Sequence, residues 1–400
     1  MKGVKLVVGM LALTGATACA SSSSYLDNQR AGIALAHQGR YGEAEKLLVA
    51  SLKEAEKLGP DDERFGNALS SLAWLYEKQG RLLAAESLWR KALTIYEKTG
   101  GPDDRQVGET LNNLGEVYRR QGKLVEAEEL YRRSIAIVER APALNPLAIA
   151  NALNNLGILY TAQRRYLDAE PLLRRALDIK RRALGTERRE VALSLLALGE
   201  LYSYQGKYAE ALPILLEALA IGDKTLPPTH PLVGDIVSAL GALYNSIGNY
   251  GQAETLLRRG LGIRERAFGL DHPSVATSLN NLAVVYKGQR RYHEAEDLLK
   301  RSIAIYERNY GTDHPEVARG RWNLADVYYG TGRFADAETE YRRAIAIQER
   351  VLGREHSDLT WILEGLARTL RSTNREGEAA LLDVRAAAIR AKHAQENPTR

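Results

Sequence analysis

A period of 42 residues runs through this 400-residue chain and restricts it to very few folds. The clearest copy, from His272 to Pro315, reads as two amphipathic helices with a turn between them, and it closes by writing Asp-His-Pro a second time. Aligned on that turn, nine copies place it at Gly39, Gly80, Gly122, Arg164, Gly206, Gly248, Arg290, Gly332 and Asn374, 41 residues apart once and 42 apart seven times. A fixed period of about 20–50 residues marks a solenoid. A lone helical hairpin leaves its apolar face uncovered, so each copy must stack on the next.

Distance from the turn decides which residue type is present. Five residues after it stands alanine in every copy, from Ala44 to Ala379, and twelve after it the residue is always small, as at Ser51, Ala92, Ser134 and Gly260. Leucine comes eight before the turn from Leu72 to Leu366, and tyrosine four before it from Tyr76 to Tyr328. Small residues at helical spacing let two helices approach closely while larger ones fill the space beside them. Gly59, Gly101, Gly185, Gly269, Gly311 and Gly353 stand where a helix C-cap is needed, and Pro231, Pro273 and Pro315 open the next first helix. His230, His272, His314 and His356 recur at the same junctions. With one histidine per repeat and repeats about 10 Å apart, they do not converge as metal ligands must. They read as loop caps, and no metal is expected.

These columns resemble the tetratricopeptide repeat. The longer period, with Leu279-Asn280-Asn281-Leu282-Ala283, Glu294-Ala295-Glu296-Asp297-Leu298 and Gly311-Thr312-Asp313-His314-Pro315-Glu316-Val317-Ala318, looks like the variant of kinesin light chains and many bacterial proteins. The resemblance implies an all-α fold, a right-handed superhelix of about nine helical hairpins. Its first helices would line a concave groove that holds peptides or protein segments.

The N-terminus is of another kind. Lys2 and Lys5 precede an apolar run from Leu6 to Leu13 that is too short to span a bilayer and ends in small residues, so residues 1–18 read as a secretory signal. Cys19, the single cysteine, follows Ala16-Thr17-Ala18 and resembles the acceptor of a bacterial lipoprotein, although Ala16 stands where that family usually has leucine. Ordinary cleavage after Ala18 is the alternative. By the same resemblance, Ala20 directs the chain to the periplasmic face of the outer membrane; otherwise it is soluble in the periplasm or secreted. Residues 19–24 read as the lipidated cysteine and a serine-rich tether. With 45 % hydrophobic residues, 12 prolines and no second apolar run of membrane length, residues 25–388 read as one continuous array. Its ninth copy departs from the pattern at Asn374, Glu376 and Asp383, which reads as a polar cap, and residues 389–400 read as a polar tail.

Catalytic signatures are missing from the sequence: there is no HExxH, P-loop or CxxC, and Gly260-Leu261-Gly262 falls inside a second helix without the third glycine of a dinucleotide loop. An enzyme, a cofactor and a small-molecule substrate are not expected. Lys and Arg number 55 against 50 Asp and Glu. Much of that balance sits ten and eleven residues after the turn, as in Arg90-Lys91, Arg132-Arg133, Arg174-Arg175, Arg258-Arg259, Lys300-Arg301 and Arg342-Arg343. A ridge of this kind attracts anionic partners. Yet each first member follows a glutamate by four, at Glu86, Glu128, Glu170, Glu254, Glu296 and Glu338, the favourable order for a helical ion pair. The ridge therefore reads as self-paired, and nucleic acid is not an expected partner.

By the family resemblance, the groove position just before the conserved leucine holds Asn113, Asn155, Asn281 and Asn323, with Asn112, Asn154 and Asn280 beside three of them. An asparagine amide both donates and accepts, so it pairs with a peptide backbone whatever its sequence; alternatively these amides bond between helices and serve only the stack. Trp322, Tyr329 and Trp361 also fall at groove positions of the family, as aromatic anchors or as core. The expectation is a protein-binding scaffold of the bacterial envelope, membrane-attached through its lipid alone, that holds an extended segment or a helix of another protein. The alternative is an assembly factor acting through the convex basic ridge.

Overall fold

A computed structural model describes residues 24–36, 40–140 and 145–396, with side chains as far as 393. The signal segment, Cys19, most of the serine tether and the first turn residue, Gly39, lie outside the described residues. Eighteen helices and no strand are present among those described: α1 over 24–36, α2 Tyr41–Glu56, α3 Glu63–Lys78, α4 Leu82–Thr99, α5 Arg105–Arg120, α6 Leu124–Glu139, α7 Pro146–Ala162, α8 Tyr166–Leu184 and α9 Arg189–Tyr204. The series continues with α10 Tyr208–Thr225, α11 Pro231–Ser246, α12 Tyr250–Phe268, α13 Pro273–Gly288, α14 Tyr292–Tyr310, α15 Pro315–Gly330, α16 Phe334–Leu352, α17 Leu359–Arg371 and α18 Glu376–Glu396. The fold is an all-α solenoid of helical hairpins. None of the described helices is long and apolar enough to cross a membrane.

The junctions form as their residues dictate. Asp62, Asp104, His230, His272 and His314 are N-caps whose side chains accept from the amide two residues on. For the histidines the acceptor is Nδ1, at 3.1 Å from the amide of Leu232, 3.1 Å from that of Ser274 and 3.2 Å from that of Glu316. Inside the hairpins from the second onward the turn residue takes a left-handed backbone, with φ of +75° at Gly80 and +80° at Gly122. Arg164, Arg290 and Asn374 hold the same conformation with φ near +60° despite their side chains. The amide after the turn then donates to the tyrosine carbonyl five residues back, at 2.8 Å for Arg81 to Tyr76 and for Arg291 to Tyr286.

The alanine column five residues after the turn is fully buried in every copy. At the small column, Ser134 Oγ donates to the Gly108 carbonyl at 2.6 Å and Ser302 Oγ to that of Ala276 at 2.7 Å, fastening second helix to first. Ring packing at Gly365 is closer still: a Cβ there would stand 2.6 Å from Cε1 of the buried Tyr341 ring.

Successive hairpins are held by a clasp centred on the glutamate six residues after the turn. Glu254 accepts from Arg258 of its own helix at 3.0 Å, and from Gln289 at 3.2 Å, Arg291 at 2.8 Å and the Tyr286 hydroxyl at 3.3 Å in the next hairpin. Arg291 meanwhile lies 3.9 Å over the Tyr286 ring. The same contacts recur from Glu45 to Arg81, Glu86 to Lys123, Glu296 to Arg333 and Glu338 to Arg375.

By compactness the chain falls into two units, residues 1–155 and 156–400, with the boundary inside the unbroken α7. The turn spacing carries no sign of this; the junction before α7 is one of two that lack the C-cap glycine, with Ala143 in its place. A second difference lies at the C-terminus. The segment expected as a polar tail is helical as far as Glu396 and buries Ile389, while the outer face of the expected polar cap presents Leu381 and Val384 at 72 % and 68 % exposure.

Two outcomes follow from this packing. Gly365→Ala, which on an open helix would stabilise by about 1 kcal/mol, is expected to destabilise the second unit by about 1–3 kcal/mol through overpacking against Tyr341, measured by denaturant unfolding. Burial by itself would raise the clasp carboxyls, but hydrogen bonds from the partners above outweigh it and hold Glu45, Glu86, Glu254 and Glu296 below the ordinary value of 4.5. Their contribution is therefore complete above pH 4.5 and lost as pH falls through the folded-state values. Glu254→Gln is expected to cost about 1–2 kcal/mol at neutral pH and to flatten the acid side of the melting-temperature profile. An unchanged acid limb would show that the clasps do not carry it.

Candidate functional site

In the first unit, Asn155 Nδ2 donates to Asn112 Oδ1 at 3.0 Å, and Asn112 Nδ2 lies 3.4 Å from Asn113 Oδ1. In the second, Asn323 Nδ2 donates to Asn280 Oδ1 at 3.0 Å. The second asparagine of one copy is thus bonded to the first asparagine of the copy before it, from first helix to first helix. Asn154, Asn280 and Asn323 are buried, which makes these bonds part of the stack. Asn113 and Asn281 are half-buried, and Asn281 makes no hydrogen bond among the described residues.

The three aromatic candidates lie apart, and no ring contact joins them among the described residues. Trp322 and Tyr329 pack against the large hydrophobic cluster of the second unit. Tyr329 also carries the Arg368 guanidinium 4.4 Å above its ring. Trp361 is 49 % exposed, with Arg390 6.0 Å from its ring centre.

Along the second helices the expected pairing of the basic ridge is formed. Arg90, Arg132, Arg174, Arg258, Lys300 and Arg342 each meet the glutamate four residues earlier. Several of their neighbours reach back one hairpin: Arg133 to Glu97, Arg259 to Asp223 and Arg301 to Glu265, at 2.8–3.1 Å.

A different column varies instead of repeating. Thirteen residues before the turn stand Leu26, Asn67, Glu109 and Asn151 in the first unit, and Leu193, Asp235, Thr277, Arg319 and Trp361 in the second. Several meet the residue sixteen after the turn of the same copy, which varies with them. The Tyr96 hydroxyl donates to Asn67 Oδ1 at 2.8 Å, and the Thr277 and Tyr306 hydroxyls are 2.7 Å apart. Arg264, itself buried, reaches Asp235 at 2.6 Å and Ser238 at 2.9 Å. Lys180 occupies that second position in the fourth copy, where burial pulls its ammonium down to about 8 against the opposing pull of Glu190.

Within the second unit the stack of first helices curves back on itself. First helices α9, α11, α13, α15 and α17 touch in sequence, while Arg164 at the turn after α7 reaches Asp358 at the start of α17, 3.2 Å away and 194 residues on. Tyr204 at the end of α9 feels the charges of Arg319 and Glu316 on α15, three hairpins later. Its phenol is pushed up to about 12 by the protein around it while its side chain stays 66 % exposed, the combination expected on an inward-curving wall. Burial opposes the charge of Arg319, and Glu316, Tyr306 and Tyr204 more than restore it. Such a wall offers hydrogen bonds, one fixed cation and apolar contacts at Leu193 and Trp361. Among the described residues, no group of three or more His, Cys, Asp or Glu is placed to hold a metal. The varying column escaped the sequence reading because that reading sought columns that stay constant; the alignment on the turn already contained it.

The tetratricopeptide repeat family matches residues 22–97, 67–140, 148–224, 233–308, 285–349 and 316–392. The chain belongs to this family. Tetratricopeptide repeats are protein-binding scaffolds. Among solved structures, a Rap protein in complex with Competence and Sporulation Factor aligns at a TM-score of 0.67 and 15 % identity over 93 % of this chain and 99 % of that one. A Podosopora anserina kinesin light chain of nearly identical repeats is 28 % identical over 52 % of this chain and 98 % of that one, at 0.43. BtubC from P. vanneervenii is 23 % identical over 58 % and 92 %, at 0.46. No curated protein matches.

Two asparagines separate stack from surface. Asn323→Ala leaves the buried Asn280 oxygen without its donor and is expected to cost about 1–2 kcal/mol. Asn281→Ala is expected to stay within about 0.5 kcal/mol. Thermal unfolding of the two variants checks the difference.

Proposed function

We propose that this tetratricopeptide protein is a non-catalytic adaptor of the cell envelope that holds a segment of another protein along the inward face of its second unit. The observation that carries this reading is the varying column. Beside packing columns that repeat, a partly open line running Leu193, Asp235, Thr277, Arg319, Trp361 is the sequence-specific surface. The solenoid supplies a rigid frame, and the side chains on that line supply the selection. An extended segment or a helix suits it, with Leu193, Tyr204 and Trp361 taking apolar side chains and Arg319 taking an acidic group. A Rap protein of the same fold is solved with Competence and Sporulation Factor, which accords with a bound partner for this chain too. Asn113 and Asn281 remain candidates for pairing with a partner backbone. The paired charges of the second helices leave the convex ridge the weaker surface for assembly.

The envelope setting rests on the N-terminal sequence, with Cys19 as the lipid acceptor at a signal cleavage site. Cys19→Ser is expected to move the protein from the membrane fraction to the soluble fraction; a membrane-bound variant would remove the anchor from the proposal. Crosslinking in intact cells tests the binding face. Joint replacement of Leu193, Tyr204 and Trp361 by Ala, all exposed, is expected to lose the captured partner with folding retained. Capture that survives this variant but fails on charge reversal at Arg132, Arg174, Arg258 and Arg342 would assign partner binding to the convex ridge.

A further inference from the structure

The last helix, α18, ends the array in an unusual way. In the internal copies three polar positions of the second helix reach toward the hairpin that follows. The residue six after the turn is the clasp glutamate, as Glu254 is to Arg291. Ten after, an arginine donates to the next tyrosine hydroxyl, as Arg90 does to Tyr118, Arg174 to Tyr202 and Arg258 to Tyr286. Seventeen after, an acidic group takes the next copy's arginine, as Glu97 takes Arg133 and Glu349 takes Arg385. In α18 these three positions are Ala380, Val384 and Ala391, all exposed. Internally, only the fifth copy is apolar at the first two, with Leu212 and Leu216, and there α11 lies against the helix.

The outer face of α18 thus lacks the three polar contacts that most internal copies make to the next hairpin, and it is not a polar cap. Leu381, Val384, Ala388 and Ala391 recur at intervals of three, four and three, the seam of a helix that pairs with another helix. Exposed alanines at 387 and 388 let a partner backbone approach closely. Charge runs along the helix as well: Glu376 and Glu378 lie in its first turn, and Arg390 and Lys392 near its end. Each is held by a surface ion pair of its own chain, with Arg371, Arg375, Glu364 and Glu355 respectively, contacts worth about 0–1 kcal/mol that leave the side chains open to a second partner.

We infer that α18 is a self-association surface, pairing antiparallel with α18 of a second copy of this chain. About a twofold axis near Ala387, the acidic start of each helix faces the basic end of the other, and Val384 of one meets Ala388 of its partner. A twofold contact of this kind is self-complementary and closed, so it stops at a dimer. The inference concerns the end of the array and is independent of the inward face.

Sedimentation of the full chain across the micromolar range is the test. The natural chain is expected to be dimeric, and Leu381→Glu with Val384→Glu monomeric with an unchanged melting curve, since both side chains are exposed. Ala387→Cys is expected to form an intermolecular disulfide under mild oxidation, whereas Leu83→Cys, equally exposed on α4, is not. Orientation is read from charge variants. Glu376→Lys with Glu378→Lys, and Arg390→Glu with Lys392→Glu, each weaken the dimer, and mixing the two restores it. A monomeric natural chain, or a dimer indifferent to Leu381 and Val384, overturns the inference. So does a natural monomer that loses a different protein when those two residues change, which would assign the face to that protein.

Discussion

Close approach of helices at columns of small residues is the constraint on which the rest depends. Every copy puts a fully buried alanine five residues after its turn and a small residue seven positions later, and the helices of a hairpin meet there closely enough for Ser134 and Ser302 to bond the facing backbone. The same closeness brings Tyr131 onto the backbone of Gly115 within a hairpin and Tyr341 onto that of Gly365 between hairpins, with the leucines of the neighbouring column in the core. Since a hairpin cannot cover its own apolar face, the same constraint makes stacking obligatory and turns nine weak units into a stable array.

Packing alone does not fix how one hairpin is turned against the next; the polar clasps do. A tyrosine carries three roles at once in Tyr286: its carbonyl closes the turn, its ring supports Arg291, and its hydroxyl meets Glu254 and Arg258. Such directional contacts allow only a narrow range of rotations between hairpins. In the second unit the accumulated rotation carries Arg164 to Asp358 and Tyr204 toward Arg319, and an inward face results. In α18 the clasp positions hold alanine and valine, and the exposed face there is apolar.

Much of the fold was legible because it is written locally and many times. The turn residues from Gly80 onward, the C-cap glycines Gly185, Gly269, Gly311 and Gly353 and the caps His230, His272 and His314 follow from backbone conformation or from one nearby amide and fall where the spacing put them. By contrast, α2 and α4 are capped at Lys57 and Gly100, short of Gly59 and Gly101, and α17 starts after Asp358 and not His356. Less of the candidate site could be read. The asparagine pairs were visible as a ladder, but whether Asn323 faces Asn280 or a bound peptide depends on the rotation between copies, which no single copy encodes. Trp322 and Trp361 occupy comparable first-helix positions, yet one packs on the core and the other is half exposed, because the residues covering them come from elsewhere in the stack.

The sequence by itself determined the repeat, its helix boundaries, the buried columns and the ion pairs four residues apart, all of which depend on neighbours within one hairpin or on the identical neighbour one period away. Only the tertiary structure decided the two compact units, the ion pair from Arg164 to Asp358 across the second unit, the half-open setting of the varying column and the exposed apolar face of α18. Those features arise from small rotations summed over several hairpins, a quantity that no one residue carries.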